Sequence, residues 1–200
     1  MAFVELLSEA DAPPGVETIF SAVAEQYGFV PNILRALGNC PDLLVTFVPF
    51  WAQVYRSPTI GPRLRALAAL GTAKAQDCTY CVAHMTASAR RAGVIEQEIC
   101  AIGNPVDEKA VFDPREALIL ELADTLTRDA DGTTDELRAR LRDYFTDNEI
   151  VNIVVAIGMY NFTSRVLKSL SIEVEDIFTV DAETDSSDAQ PARDTARSAS

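Results

Sequence analysis

Histidine occurs once in these 200 residues, lysine three times, and no acidic residue falls between Leu43 and Gln76. Each scarcity excludes something. With a formal charge of −13 and only Lys74, Lys109 and Lys168 beside the arginines, the chain repels phosphate backbones and anionic membranes, so neither is expected as a partner. The same acidic, arginine-weighted composition suits a salt-adapted protein or a GC-rich genome. The most apolar run, "IVNIVVAIGMYNF", is too short to span a bilayer. The opening "MAFVELLSEADAPPG" has early acids in place of the basic, then apolar, pattern of a secretion signal. A cytoplasmic protein is expected. No segment alternates apolar and polar residues as a half-buried strand does.

What is present is helical period from end to end, and a hydrophobic content of 48%, enough for one well-cored domain. "GVETIFSAVAEQYG" follows Pro13–Pro14 and stops at Gly28. "PNILRALGN" and "PDLLVTFVPFWAQVYR" begin at prolines, the second carrying Pro49 as an expected kink. "GPRLRALAALGTAKAQ" has Pro62 in its first turn and Leu64, Leu67, Ala68 and Leu70 at apolar spacing. Asp77 is expected to cap "CTYCVAHMTASARRAG", which ends at Gly93, and "VIEQEICAIGN" is a further short helix. Asp113–Pro114 opens "DPREALILELADTLTRD", Thr134 or Asp135 caps "ELRARLRDYF", and Thr146 with Glu149 forms a capping box before the long apolar helix to Leu170. The fold class is all-α. Residues 1–180 form the domain; residues 181–200, without Leu, Ile, Phe or Tyr, read as a disordered acidic tail.

Four cysteines are present, and in a reducing compartment a close pair points to catalysis or metal binding rather than a permanent staple. Cys78 and Cys81 are that pair. Placed in the first turn of a helix, Cys78 meets the unpaired amides and positive dipole end that favour a thiolate, and Cys81 shares its face one turn on. This is the arrangement of a dithiol oxidoreductase. His84 lies three residues beyond Cys81, where it can exchange a proton with a thiol. Zinc would need Cys78, Cys81 and His84 plus Cys40, Cys100 or a carboxylate; zinc sites are commonly built from two ligand pairs, and only one pair is present. Cys40 and Cys100 read as small buried hydrophobes.

Four blocks, "GFVPNILRAL" at 28–37, "CTYCVAH" at 78–84, "DPREALILELADTLTRD" at 113–129 and "MYNFTSRV" at 159–166, resemble the carboxymuconolactone decarboxylase/AhpD-like superfamily, in particular its peroxidase-related branch. The resemblance runs from about residue 3 to residue 179. It implies an all-helical homo-oligomer in which the CxxC begins a helix lining the active site. It further implies that Cys81 attacks a hydrogen or organic hydroperoxide, that Cys78 resolves the sulfenate, and that a lipoyl- or thioredoxin-type dithiol reduces the resulting disulfide, without metal or haem. The family's proton relay places a glutamate twelve residues before the first cysteine and a histidine four after the second; here these are Ala66 and Met85. Between Leu43 and Gln76 no carboxylate stands in for that glutamate. Arg63, one turn before Ala66, is either a charge favouring the thiolate or an ordinary surface arginine. Tyr160, Asn161 and Arg165 read as structural hydrogen-bonding residues. An incomplete relay implies slow peroxide turnover, and the rival reading is a redox-sensing or ligand-binding helical oligomer. Nothing resembles a site for a carboxylated lactone.

Overall fold

The computed structural model describes residues 1–178, and among these there is no strand. Residues 179–200, including the whole expected tail, lie outside the described residues. Ten helices follow in chain order: α1 Val16–Tyr27, α2 Asn32–Leu37, α3 Pro41–Arg56, α4 Gly61–Ala75, α5 Thr79–Arg91, α6 Glu96–Ala101, α7 Pro105–Val111, α8 Pro114–Arg128, α9 Asp135–Tyr144 and α10 Asp147–Ser169. Their boundaries follow local chemistry. Asp113 accepts from the amides of Arg115 and Glu116, Thr134 accepts from Leu137, and Thr146 and Glu149 satisfy each other's amides. α1 closes on Gly28 at φ +83, a left-handed conformation natural to glycine. α3 runs on through Pro49.

α4 is the centre of the fold. Every residue from Ala66 to Ala73 is buried, and most of them are Ala or Gly, so α5, α8 and α10 can all pack closely on it. Gly71 shows how closely: a β-carbon there would stand 3.1 Å from Leu120 Cδ2 and 3.3 Å from Ala123 Cβ on α8. One part of the core joins α4, α8, α9 and the first half of α10; another gathers Val16, Phe20, Leu34 and Leu44 from α1 to α3 with Leu167 of α10. Cys78, Tyr80 and Cys81 are embedded in the second.

α10 is 23 residues long and apolar enough, by length and composition, to cross a membrane, which corrects the shorter run read from the sequence. In the fold it is a core helix, burying Ile153, Ile157, Met159, Ser164 and Leu167. Its other face leaves Val151, Val154, Val155 and Phe162 exposed.

Candidate active site

The site is made at the α4–α5 junction. α4 ends in a left-handed turn at Asp77 (φ +50), where Asp77 N donates to Lys74 O at 3.0 Å and Cys78 N to Ala73 O at 3.2 Å. The chain then straightens at Cys78, which is itself the N-cap of α5: its sulfur accepts from the amide of Cys81 at 3.4 Å. Asp77 therefore does not cap the helix; the left-handed turn places it one residue too early. Lys168 of α10 donates to Gln76 O at 2.9 Å and brings a cation to the same turn.

The two sulfurs stand 2.8 Å apart, both buried. The Cys81 thiol donating to Cys78 holds Cys78 down to about 6; burial opposes this, and the Cys81 amide, Ser164 and Lys168 support it. Cys81 is pushed up by giving its proton to Cys78, by burial, and by the Cys78 charge. One proton is thus shared, with the thiolate at Cys78. Ser164 is fully buried on α10, its hydroxyl has no hydrogen-bond partner among the described residues, and it favours the ionised form of both thiols. An unsatisfied buried hydroxyl is costly, so its place beside the sulfurs is informative.

The structure places His84 against a carboxylate that sequence reasoning missed. His84 Nε2 lies 2.6 Å from Glu175 Oε2, while Glu175 Oε1 accepts from the Tyr80 hydroxyl and the Asn32 amide, each at 2.6 Å. Burial raises the Glu175 carboxyl, but His84, Tyr80 and the Asn32 amide outweigh it and hold it below the usual range. An ionised carboxylate only accepts, so His84 donates through Nε2. Burial and the Glu175 charge push the Tyr80 phenol up, so it remains a donor. The His84 ring stacks on Tyr80 at 4.4 Å and meets Phe178 at 4.3 Å. The signal for Glu175 was the run "SIEVEDIF" after α10, whose apolar residues require a return to the core; Ile172 is buried there.

A small cavity of about 70 Å³ borders this group, lined by Cys81, His84, Met85, Tyr80, Phe47 and Trp51 among others. Cys81 opens on it; Cys78 does not. Met85 lines the same cavity, whereas Ala66 lines a different one. Arg63 is not at the thiols: it binds Glu116 at 2.6 Å, Glu98 at 2.7 Å and Gly93 O at 2.9 Å. Asn161 bridges Gln76 and Thr127 and accepts from Arg165, a structural network. Cys40 and Cys100 are exposed rather than buried, because Cys40 precedes α3 at the surface and Cys100 points outward from the short α6. No group of three or more His, Cys, Asp or Glu suited to a metal occurs among the described residues. A cavity of about 880 Å³ between α7, α8 and α9 is lined by no cysteine.

Residues 41–124, which span α3 to most of α8, match the carboxymuconolactone decarboxylase family. The uncharacterized protein YdfG of Bacillus subtilis (strain 168) is 26% identical over 112 residues, covering 56% of this chain and 76% of that one. An uncharacterized peroxidase-related protein from Ralstonia eutropha JMP134, an alkylhydroperoxidase AhpD core, superposes with a TM-score of 0.78 at 21% identity, covering 90% of this chain and 95% of that one. A variant of the debrominase Bmp8, solved in complex with 2,3,4-tribromopyrrole, superposes at 0.75 with 20% identity, covering 92% and 99%. At these identities the two structures attest the fold alone, and the family match covers the helices that carry the dithiol. Residues 41–124 thus carry the signature of the carboxymuconolactone decarboxylase family, and the fold is that of the AhpD core.

Proposed function

We propose that this chain is a dithiol oxidoreductase that reduces organic hydroperoxides, with Cys81 attacking, Cys78 resolving and His84 moving protons. One observation carries the reading: two buried sulfurs stand 2.8 Å apart and Cys81 opens on an apolar cavity, in surroundings that lower Cys78 and raise Cys81. A hydroperoxide in that cavity meets Cys81 first. Cys81 passes its proton to Cys78 or His84, and its sulfur takes the distal peroxide oxygen. The O–O bond breaks, an alcohol leaves with a proton, and Cys81 becomes a sulfenic acid. Cys78, again a thiolate, attacks that sulfur; hydroxide leaves and is protonated to water. The sum is dithiol plus hydroperoxide to disulfide, alcohol and water. An external dithiol of the lipoyl or thioredoxin type then restores the pair. In the His84–Glu175 contact Glu175 orients the imidazole, the role the family's glutamate would serve from position 66.

The apolar, aromatic lining favours one competing oxidant, a halogenated aromatic of the class bound by Bmp8. There the dithiol would replace carbon–bromine with carbon–hydrogen and release bromide. Steady-state assays with dihydrolipoamide separate these readings. Hydroperoxide-dependent turnover that is lost in Cys81→Ser supports the peroxidase. Bromide release from a bromopyrrole without peroxide turnover supports the dehalogenase. Oxidation once per chain, with no turnover on either, supports the redox-sensing alternative.

A further inference from the structure

We propose that a second cavity, about 220 Å³ between α3, α4, α5 and α10, binds a small organic carboxylate. The proposal is independent of the thiol chemistry. In a chain with 30 acidic and 17 basic residues, this cavity is lined by two arginines, Arg65 and Arg91, and by no carboxylate. Arg91, exposed at the end of α5, has no ion pair among the described residues. Arg65 spends one nitrogen on Ser57 O at 2.5 Å and lies 5.8 Å over the Tyr55 ring, which leaves guanidinium donors to spare.

The remaining polar groups are also donors. Tyr160 is only 5% exposed, yet its hydroxyl has no hydrogen bond among the described residues, although the residue lines the cavity. Burial pushes this phenol up, so it keeps its proton. Tyr55 and Ser88 hydroxyls sit 3.2 Å apart at the same wall. Ala66, with no side chain beyond Cβ, also lines the cavity. Two guanidiniums and several hydroxyls with no opposing acid select an oxyanion, and the planar fork of arginine matches a carboxylate in two-point contact. The Tyr55 and Tyr160 rings supply an apolar wall for a short or aromatic body. Tyr160 belongs to a core cluster against which Trp51 and Met85, two residues lining the Cys81 cavity, also pack.

Trp51 is the only tryptophan and lies 5.8 Å from Tyr55, so its fluorescence reports on the cavity. The full chain is titrated at constant ionic strength with benzoate, with benzyl alcohol as the neutral isostere, and with inorganic phosphate. Benzoate is expected to saturate, with benzyl alcohol and Arg91→Gln each weaker by about tenfold or more, as loss of a charge-assisted contact requires. Tyr160→Phe is expected to weaken benzoate several-fold. Equal responses to benzoate and benzyl alcohol overturn the proposal, and this comparison needs no variant. An unchanged benzoate affinity in Arg91→Gln overturns it as well. Phosphate binding more tightly than benzoate overturns the carboxylate assignment in favour of an inorganic anion.

Discussion

Glu175 Oε2 meets His84 Nε2 at 2.6 Å across 91 residues of chain. The segment after α10 therefore carries the carboxylate that orients the only histidine, and Ala66 need not. General acid–base help is worth about 10² to 10⁴ in rate. Glu175→Gln keeps His84 but weakens its orientation, so a loss of hydroperoxide turnover at the lower end of that range, about 10²-fold, is expected. Glu175→Ala also strands the Asn32 amide and Tyr80 hydroxyl and is expected to cost about 1–3 kcal/mol by denaturant unfolding. The pH dependence has a defined sign. Because the folded carboxyl lies below its ordinary value, its stabilisation is complete above about pH 4.3 and fades as pH falls through the folded value. The stability gap between wild type and Glu175→Gln should shrink in acid.

Thiolate absorbance should show one buried thiol ionising near pH 6 and its partner remaining protonated well above that. Cys78→Ser should abolish the low transition. Depressed in the folded state, Cys78 contributes stability fully above the ordinary thiol value of about 8.5, and that contribution is lost as pH falls through about 6. Ser164→Ala removes a buried hydroxyl that favours this thiolate and has no hydrogen-bond partner among the described residues. The midpoint should move up with little change in Tm, whereas a merely structural serine would lower Tm and leave the midpoint in place.

The helix ends were legible because they depend on neighbours in sequence. Asp113 before Pro114, Thr134, and the Thr146–Glu149 box each act within one turn. The dithiol was legible for the same reason, since Cys78 and Cys81 are one turn apart. Glu175 was not, because its partners Asn32, Tyr80 and His84 are brought together only by tertiary packing. The short α7 was missed because Pro105–Val111 buries no residue and so carries no apolar period. Cys40 and Cys100 misled through residue type, since a free cysteine is commonly buried and these two are not.

Close approach of α4 and α8 depends on Gly71. Gly71→Ala brings a helix-propensity gain of about 1 kcal/mol against tight contacts with Leu120 and Ala123, so a net change near zero is expected. Gly71→Val adds bulk that the gain does not offset and should lose about 1–3 kcal/mol in urea unfolding.

Exposed Val151, Val154, Val155 and Phe162 of α10 adjoin α3 through the Phe47–Phe162 ring contact at 5.8 Å, and α3 exposes Leu43, Val45 and Phe50. We propose that a second copy of the chain covers this apolar surface. Light scattering should give a mass above the 21.7 kDa monomer, and Phe162→Asp should lower it. A monomer mass at all concentrations removes the proposal.

Addition of one equivalent of cumene hydroperoxide to the reduced protein, followed by peptide mass mapping, tests the central claim most directly. Two thiols are expected to be consumed for each cumyl alcohol formed, with a disulfide mapped between Cys78 and Cys81. Oxidation confined to the exposed Cys40 and Cys100, with Cys78 and Cys81 still reduced, would contradict it.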